Sequence, residues 1–226
     1  MKIIPITFLL CISFFNLFAA DVDLSGWDKS ASSYYLATGS ESPDGKYGVA
    51  YPKASEDNPK LAKNLIVALK PFRILTILED DGLCAGSKRL GLTAEWTRDS
   101  SQVIVTTKHD KWDMIVGSSL VSIRDGQADQ RLNLLNVINR EMAPDFRKSK
   151  AEAYNELLPF ILIESKIGFA DQGKNVRVKT AACNDPNEAR AIEWTANYDG
   201  LWSIAESKWL THQLTSHAKK NPELAQ

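Results

Sequence analysis

The stretch WTRDSSQVIVT, residues 96–106, joins a polar turn to a run of β-favouring residues and shows the pattern on which this chain is built. The Asp99 side chain can accept a hydrogen bond from the backbone two residues further on, and the serines beside it tolerate tight turn geometry. The β-branched residues that follow are typical of a strand. The stretch therefore predicts a turn followed directly by a β-strand.

The same pattern occurs twice more in the chain. Residues 42–51 (SPDGKYGVAY) place Asp44 in a turn before a β-rich segment, and residues 171–179 (DQGKNVRVK) do the same with Asp171. Further β-rich segments are residues 64–69, 73–78, 114–116, 120–123, 161–163, 191–195 and 201–204. Short strands separated by turn residues predict antiparallel sheet.

One segment, residues 127–158, has a different period. Its apolar residues recur at helical spacing, namely Leu134, Leu135, Ile138, Met142, Phe146, Ala153, Tyr154, Leu157 and Leu158. Because Pro144 interrupts this series, we expect two consecutive helices or one helix kinked at Pro144. Their apolar stripe should cover a face of the sheet.

The turns at residues 42–47 and 96–101 resemble the blade-start motifs of TolB-like β-propellers, which run Trp-Ser-Pro-Asp-Gly or Asp-Ser before a strand. The layout is also similar to that of secreted bacterial proteins that carry such motifs around a helical insert. The resemblance implies blade-like hairpins and implies no enzymatic activity. The motifs lie further apart than one blade, so we expect an open sheet system. The predicted fold class is α+β, an antiparallel sheet of propeller-blade-like hairpins with an inserted helical pair around residues 127–158.

The N-terminus has the order of a secretory signal. Met1-Lys2 is a short positive start, residues 3–18 are almost wholly apolar, and Ala19-Ala20 precede the acidic Asp21. This order predicts a signal peptide, residues 1–20, that is cleaved after Ala20, and the alternative is an uncleaved anchor. We expect a secreted or periplasmic protein whose residues 21–226 form a single globular domain. The net charge of -1 gives no electrostatic reason to expect nucleic-acid or anionic-membrane binding.

Cysteine usage fits the same compartment. Cys11 would leave with the signal peptide, so the mature chain keeps Cys84 and Cys183. Two cysteines in an oxidising compartment predict one disulfide bond, and the alternative is two separate thiols. Neither cysteine has a second Cys or His at ligand spacing, so the sequence indicates no metal site and no cofactor.

No nucleophile motif or phosphate-binding loop is present, and the best candidate site is the segment KHDKWD, residues 108–113. Our leading hypothesis is a non-catalytic binding protein for an unknown protein or carbohydrate ligand of the envelope, which uses His109, Trp112 and Asp113. The alternative is a periplasmic hydrolase in which Asp110 orients the His109 imidazole for acid–base catalysis.

Two groups of residues have a structural interpretation instead. We expect Asp44 and Asp99 to serve as turn formers. We expect Trp96 and Trp194 to lie in the core, because tryptophan at a strand start can pack a sheet against the elements that cover it.

Overall fold

The computed structural model describes residues 21–53, 63–78, 89–109, 113–155, 158–187 and 189–224, so the predicted signal peptide lies outside the described residues. These ranges contain three antiparallel sheets and one α-helix. Within each sheet the strands follow one another in chain order, so every sheet is a meander. No helix in these ranges combines the length and the apolar character that a membrane crossing requires.

The three sheets occupy successive parts of the chain. The first sheet consists of β1 (Val22–Asp23), β2 (Tyr34–Leu36), β3 (Tyr47–Pro52), β4 (Leu65–Leu69) and β5 (Phe72–Ile77). The second consists of β6 (Arg89–Trp96), β7 (Gln102–His109), β8 (Met114–Arg124) and β9 (Gln127–Asn133). After helix α1 (Leu134–Ser149), the third consists of β10 (Ile161–Ala170), β11 (Asn175–Cys183), β12 (Ile192–Ser203) and β13 (Lys208–Lys220).

The two central strands of the second sheet, β7 and β8, are buried on both faces. Val103 and Val105 of β7 join a core with Val49 and Ile66 of the first sheet. Ile104, which lies between them in sequence, belongs to the core that is shared with the third sheet. Successive side chains of a strand point to opposite faces, and burial of such a side chain contributes about 1.5–3 kcal/mol. The unbroken apolar run of β7 therefore reflects a central position between two other sheets.

The third sheet is buried on one face only. Along β12, Trp194 and Tyr198 are buried, whereas Glu193, Thr195 and Asn197 are exposed. The buried face is covered by α1, whose contribution to the shared core is Leu134, Ile138, Met142 and Phe146. The helix thus closes the core that the third sheet leaves open.

The predicted α+β class with an inserted helical pair is wrong, because the described chain is mostly β and has a single α-helix. The first part of the predicted pair, residues 127–133, is strand β9, which follows a turn with φ of 51° at Asp125 and 70° at Gly126. Positive φ at both positions is the geometry of a type I′ hairpin turn. The local turn therefore placed this segment in the sheet.

Two separate helices on either side of Pro144 are also absent from the described residues, since α1 continues through Pro144 to Ser149. The helix ends there because Lys150 adopts a left-handed φ of 59°, and the Ser149 hydroxyl donates to the carbonyl of Phe146 at 2.6 Å. Residues 150–155 and Leu158 are not helical. The prediction of a single sheet system is also wrong, because the described strands form three separate sheets.

Candidate functional site

The first turn, residues 42–47, is closed by one hydroxyl and one carboxylate. The Ser42 hydroxyl donates to the Asp44 carboxylate at 2.7 Å and accepts from the Tyr47 N–H at 3.0 Å. The Gly45 N–H donates to the Ser42 carbonyl at 2.8 Å, and Gly45 has a φ of 67°. A positive φ at this position favours glycine.

The second turn, residues 97–102, repeats the same hydrogen bonds with different residues. The Thr97 hydroxyl donates to Asp99 at 2.7 Å and accepts from the Gln102 N–H at 3.0 Å. Ser100, with a φ of 60°, donates its N–H to the Thr97 carbonyl at 2.9 Å. The Thr97 hydroxyl is the strongest of the contacts that hold the pKa of Asp99 below its usual value. Both predicted turn-forming aspartates therefore do form the turns.

The turns lie side by side at one end of the sheets. The Asp44 N–H of the first turn donates to the Ser100 hydroxyl of the second at 3.2 Å. The third turn, residues 170–175, contacts the second so closely that a Cβ on Gly173 would lie 2.6 Å from the Thr97 methyl carbon. All three sheets thus place a turn in one continuous row.

A cleft of about 1390 Å³ opens between the second and third sheets at this end. Its walls include the second turn, the third turn and residues 204–207, which connect β12 to β13. Its apolar lining includes Leu120, Leu132, Phe169, Trp202, Ile204 and Leu210. Sites for drug-sized ligands occupy about 300–1,000 Å³, so this cleft has room for several residues of a larger ligand.

Four basic side chains line the cleft. Arg98, Arg124 and Lys174 all lie on it, and none of them forms an ion pair with another described residue. Arg131 is a fourth cation on the lining, and it pairs with Asp129 at 3.4 Å. The chain has a net charge of only -1, so this cluster is a local feature and not the result of a basic composition.

The acidic residues of the cleft form hydrogen bonds or ion pairs with residues close to them in sequence. Asp99 accepts the hydrogen bonds of the second turn, and Asp171 accepts from the Asn175 amide at 2.5 Å. Glu206 forms an ion pair with Lys208 at 2.8 Å. Hydrogen bonds from hydroxyl or amide groups do not remove the charge of a carboxylate, so the lining carries three acidic side chains beside its four basic ones.

One polar atom of the second turn adds to this arrangement. The side-chain oxygen Oε1 of Gln102 is buried, lies among the residues that line the cleft and accepts no hydrogen bond from the described chain. A buried acceptor without a donor costs free energy.

The hairpin that the sequence singled out lies at the other end of the second sheet. His109 is the last residue of β7, whereas the second turn precedes its first residue, so about 25 Å separates the two regions. The Asp113 carboxylate forms an ion pair with the Lys108 ammonium group at 2.7 Å. Asp110 and Trp112 lie outside the described residues, and the proposed roles of this hairpin therefore stay predictions.

The predicted disulfide also falls partly outside the described residues, because Cys84 is among those not described. Cys183 lies at the end of β11, is 7% exposed and forms no disulfide bond with another described residue. Burial, together with the charge of Asp185, raises the pKa of the Cys183 thiol to about 11. The pairing stays a prediction, and the protonated thiol has little nucleophilic character at neutral pH.

The remaining sequence candidates have structural positions. Trp194 is 1% exposed and lies 5.1 Å from the Phe146 ring, centroid to centroid, so it belongs to the core as expected. Trp96 is half-buried, and its indole N–H donates to the Ser40 carbonyl at 2.8 Å. Among the described residues, no group of three or more His, Cys, Asp or Glu side chains is arranged to hold a metal ion.

Sequence reasoning missed the residues that distinguish the cleft. Arg98 was visible as a charged residue in a predicted turn, but Arg124 ends strand β8 and Lys174 stands in another turn far along the chain. No local pattern marks these three residues as neighbours. The signal that could have been used was the repeated turn itself, which carries a basic residue in all three copies.

Comparisons with known proteins assign no family. No family model matches the chain, and neither a curated protein nor a solved structure matches it. The functional argument therefore depends on the cleft.

Proposed function

We propose that this chain is an exported, non-catalytic binding protein that holds an acidic segment of an envelope protein in the cleft between its second and third sheets. The observation that carries the proposal is the group Arg98, Arg124 and Lys174, which lines the cleft without ion pairs among the described residues. Unpaired cations beside an apolar wall attract an anion that also buries apolar surface.

A polypeptide fits this cleft better than a carbohydrate does. Carbohydrate sites commonly present exposed aromatic faces, whereas Trp202 is 9% exposed and the Trp96 ring is stacked on Tyr47. The ligand we propose therefore carries Asp or Glu side chains together with apolar ones.

The test uses residues 21–226 and two fluorescent twelve-residue peptides, one alternating Glu with Leu and one alternating Lys with Leu. We expect the acidic peptide to bind and the basic peptide not to bind, with an affinity that falls as salt rises. The double variant Arg98→Ala, Arg124→Ala should bind the acidic peptide at least tenfold more weakly, as measured by fluorescence anisotropy. Circular dichroism should show an unchanged fold, because both side chains are exposed.

The matched control removes two other exposed cations, Lys29 and Lys46, which do not line the cleft. The variant Lys29→Ala, Lys46→Ala has the same change in net charge and should bind like the unaltered chain. If both double variants lost the same affinity for the acidic peptide, net charge alone would explain the effect. That result would refute binding in the cleft. Preferential binding of an acidic polysaccharide such as polygalacturonate would assign the cleft to a saccharide.

Export is the second part of the proposal and has its own test. The order of charge, apolar segment and small residues before Asp21 supports it. In a cell fractionation, we expect the chain outside the cytoplasm, with an N-terminus at Asp21 or within a residue or two of it. An intact Met1 on cytoplasmic protein would refute export.

We also propose that the three sheets correspond to blade-like units. The support is that the first and second turns share one hydrogen-bond pattern and that each turn lies between two neighbouring strands of its own sheet. This part of the proposal concerns shape and adds no activity.

A further inference from the structure

The two edges of the third sheet are treated differently by the rest of the chain. At one edge, β10 lies beside the second sheet, and the Glu95 carboxylate accepts the Phe169 N–H at 2.9 Å. At the other edge, β13 pairs with β12 and with no further strand of the described chain. Within the described part of the chain, one edge of the third sheet is therefore protected, and the thirteen-residue strand at the other edge has no further strand beside it.

The register shows which backbone groups of β13 point away from the sheet. The Asn221 N–H donates to the Ala191 carbonyl at 2.9 Å, and the pairing with β12 is regular from Lys220 back to Thr211. Because N–H and C=O groups alternate sides along a strand, odd-numbered residues bond to β12 and even-numbered residues from 212 to 220 face outward. Those outward residues are His212, Leu214, Ser216, Ala218 and Lys220.

The middle of β13 lacks the devices that normally protect an edge. Natural edges are blocked by proline, by charged side chains or by bulges. Residues 209–218 contain no proline and no Lys, Arg, Asp or Glu, and the register shift of this strand pair lies at its far end, beside Trp202. The regular and uncharged part of the edge, residues 211–218, is therefore about 27 Å long and is available for pairing.

The charges of β13 indicate what would pair with it. Lys208, which forms an ion pair with Glu206 of the preceding connection, stands at one end, Lys219 and Lys220 stand at the other, and the strand has no acidic residue. Pairing with a second copy in the antiparallel direction about Leu214 would set Lys208 opposite Lys220, and like charges directly opposite are destabilising. A strand with acidic residues at both ends and a neutral middle has the complementary pattern.

We infer that β13 is a strand-addition site for an extended polypeptide segment whose neutral middle is flanked by acidic residues. Backbone hydrogen bonds to the outward groups supply affinity, and the terminal lysines select the charge pattern and the register of the segment. This site lies on the open edge of the third sheet and is independent of the function proposed for the cleft.

The test adds a peptide to residues 21–226 and measures amide hydrogen exchange by NMR. The probe is acetyl-Glu-Glu-Val-Thr-Val-Thr-Val-Thr-Glu-Glu-amide, and its control has Lys in place of every Glu. We expect the acidic peptide to slow exchange of the amides of residues 212, 214, 216 and 218 at least tenfold. The amides of residues 211, 213, 215 and 217 are already bonded to β12 and should change little, which provides an internal control.

A variant pair tests the backbone contact separately. Ser216→Pro removes one outward N–H and leaves the bonds to β12 in place, as proline at an edge can. It should weaken binding of the acidic peptide at least tenfold, whereas the Ser216→Ala variant should bind the peptide as tightly as the unaltered chain does. The exchange measurement on the unaltered chain decides the matter even if the proline variant does not fold.

Three results would overturn the inference. The first is that even-numbered and odd-numbered amides respond equally or not at all to millimolar acidic peptide. The second is that the Lys peptide protects the same amides as well as the acidic one does. The third is self-association through these amides without peptide. The double variant Arg98→Ala, Arg124→Ala should retain the protection, so failure of the cleft proposal is distinguishable from failure of this one.

Discussion

The first and second turns have the same internal hydrogen bonds but different surroundings. In both turns, a side-chain hydroxyl donates a hydrogen bond to the aspartate carboxylate at 2.7 Å. The second turn, however, lines the cleft and contacts Gly173 of the third turn, whereas the first turn does not line the cleft. The comparison teaches that the repeated motif is a structural unit and that its position among the sheets decides whether it can serve binding.

The largest expected effect breaks the contact between the second and third turns. Gly173→Ala would place a Cβ 2.6 Å from the Thr97 methyl at a φ of 87°, and the methyl cannot turn away without breaking the bonds of the Thr97 hydroxyl. Strain and overpacking together should lower the free energy of unfolding by about 3 kcal/mol. Urea denaturation of residues 21–226 measures this loss.

Two variants serve as controls for that prediction. Gly45→Ala has the same kind of backbone strain but meets nothing within 4 Å, so it should cost about 1 kcal/mol. Adding Thr97→Ser to Gly173→Ala removes the methyl, keeps the hydroxyl and should recover part of the stability. Equal losses for the two glycine variants, or no recovery with serine, would contradict the proposed contact.

A smaller effect tests whether the two turns are equivalent in energy. Thr97→Val and Ser42→Ala each remove a buried hydroxyl that accepts a backbone N–H, from Gln102 and Tyr47 respectively. Each variant should lower the free energy of unfolding by about 1–2 kcal/mol. A large loss in one turn and none in the other, in the same urea experiment, would show that the shared geometry does not imply a shared role.

The smallest expected effect is a loss of folding stability at low pH. Burial alone would raise the pKa of Asp44, but the hydrogen bonds from Ser42 and Lys46 outweigh it and hold that pKa at about 2. The pKa of Asp99 is lowered as well. Because both carboxylates have lower pKa values when folded, their contribution to stability is present above the ordinary aspartate pKa of about 4 and is lost as pH falls below it.

The measurement is the urea midpoint at pH 5, 4 and 3. We expect the double variant Asp44→Asn, Asp99→Asn to lose less stability over this range than the unaltered chain does. Asparagine retains an acceptor oxygen for the turn and does not titrate. A pH profile that is identical in the two proteins would show that these carboxylates do not contribute to acid sensitivity.

Part of the fold was predictable because it depends on contacts between near neighbours in sequence. Asp44 and Asp99 bond to groups within three residues, so their turns could be recognised from the chain alone. The hairpin at Asp125-Gly126 was equally local, and this dipeptide is a known turn signal, but the helical spacing beyond it was extended over β9 by mistake. The Asp125-Gly126 turn was therefore sufficient to predict the hairpin, and the assignment of residues 127–133 to a helix was wrong.

The sequence by itself determined the turns, the strands that follow them and the order of charge and apolar residues that predicts export. The tertiary structure decided that these strands form three stacked sheets, that α1 covers the third of them, and that Arg98, Arg124 and Lys174 share one cleft. The reason is physical: a turn is held by hydrogen bonds that span a few residues, whereas the stacking of sheets depends on which apolar faces bury one another. Those faces come from distant parts of the chain, and no local pattern specifies their partners.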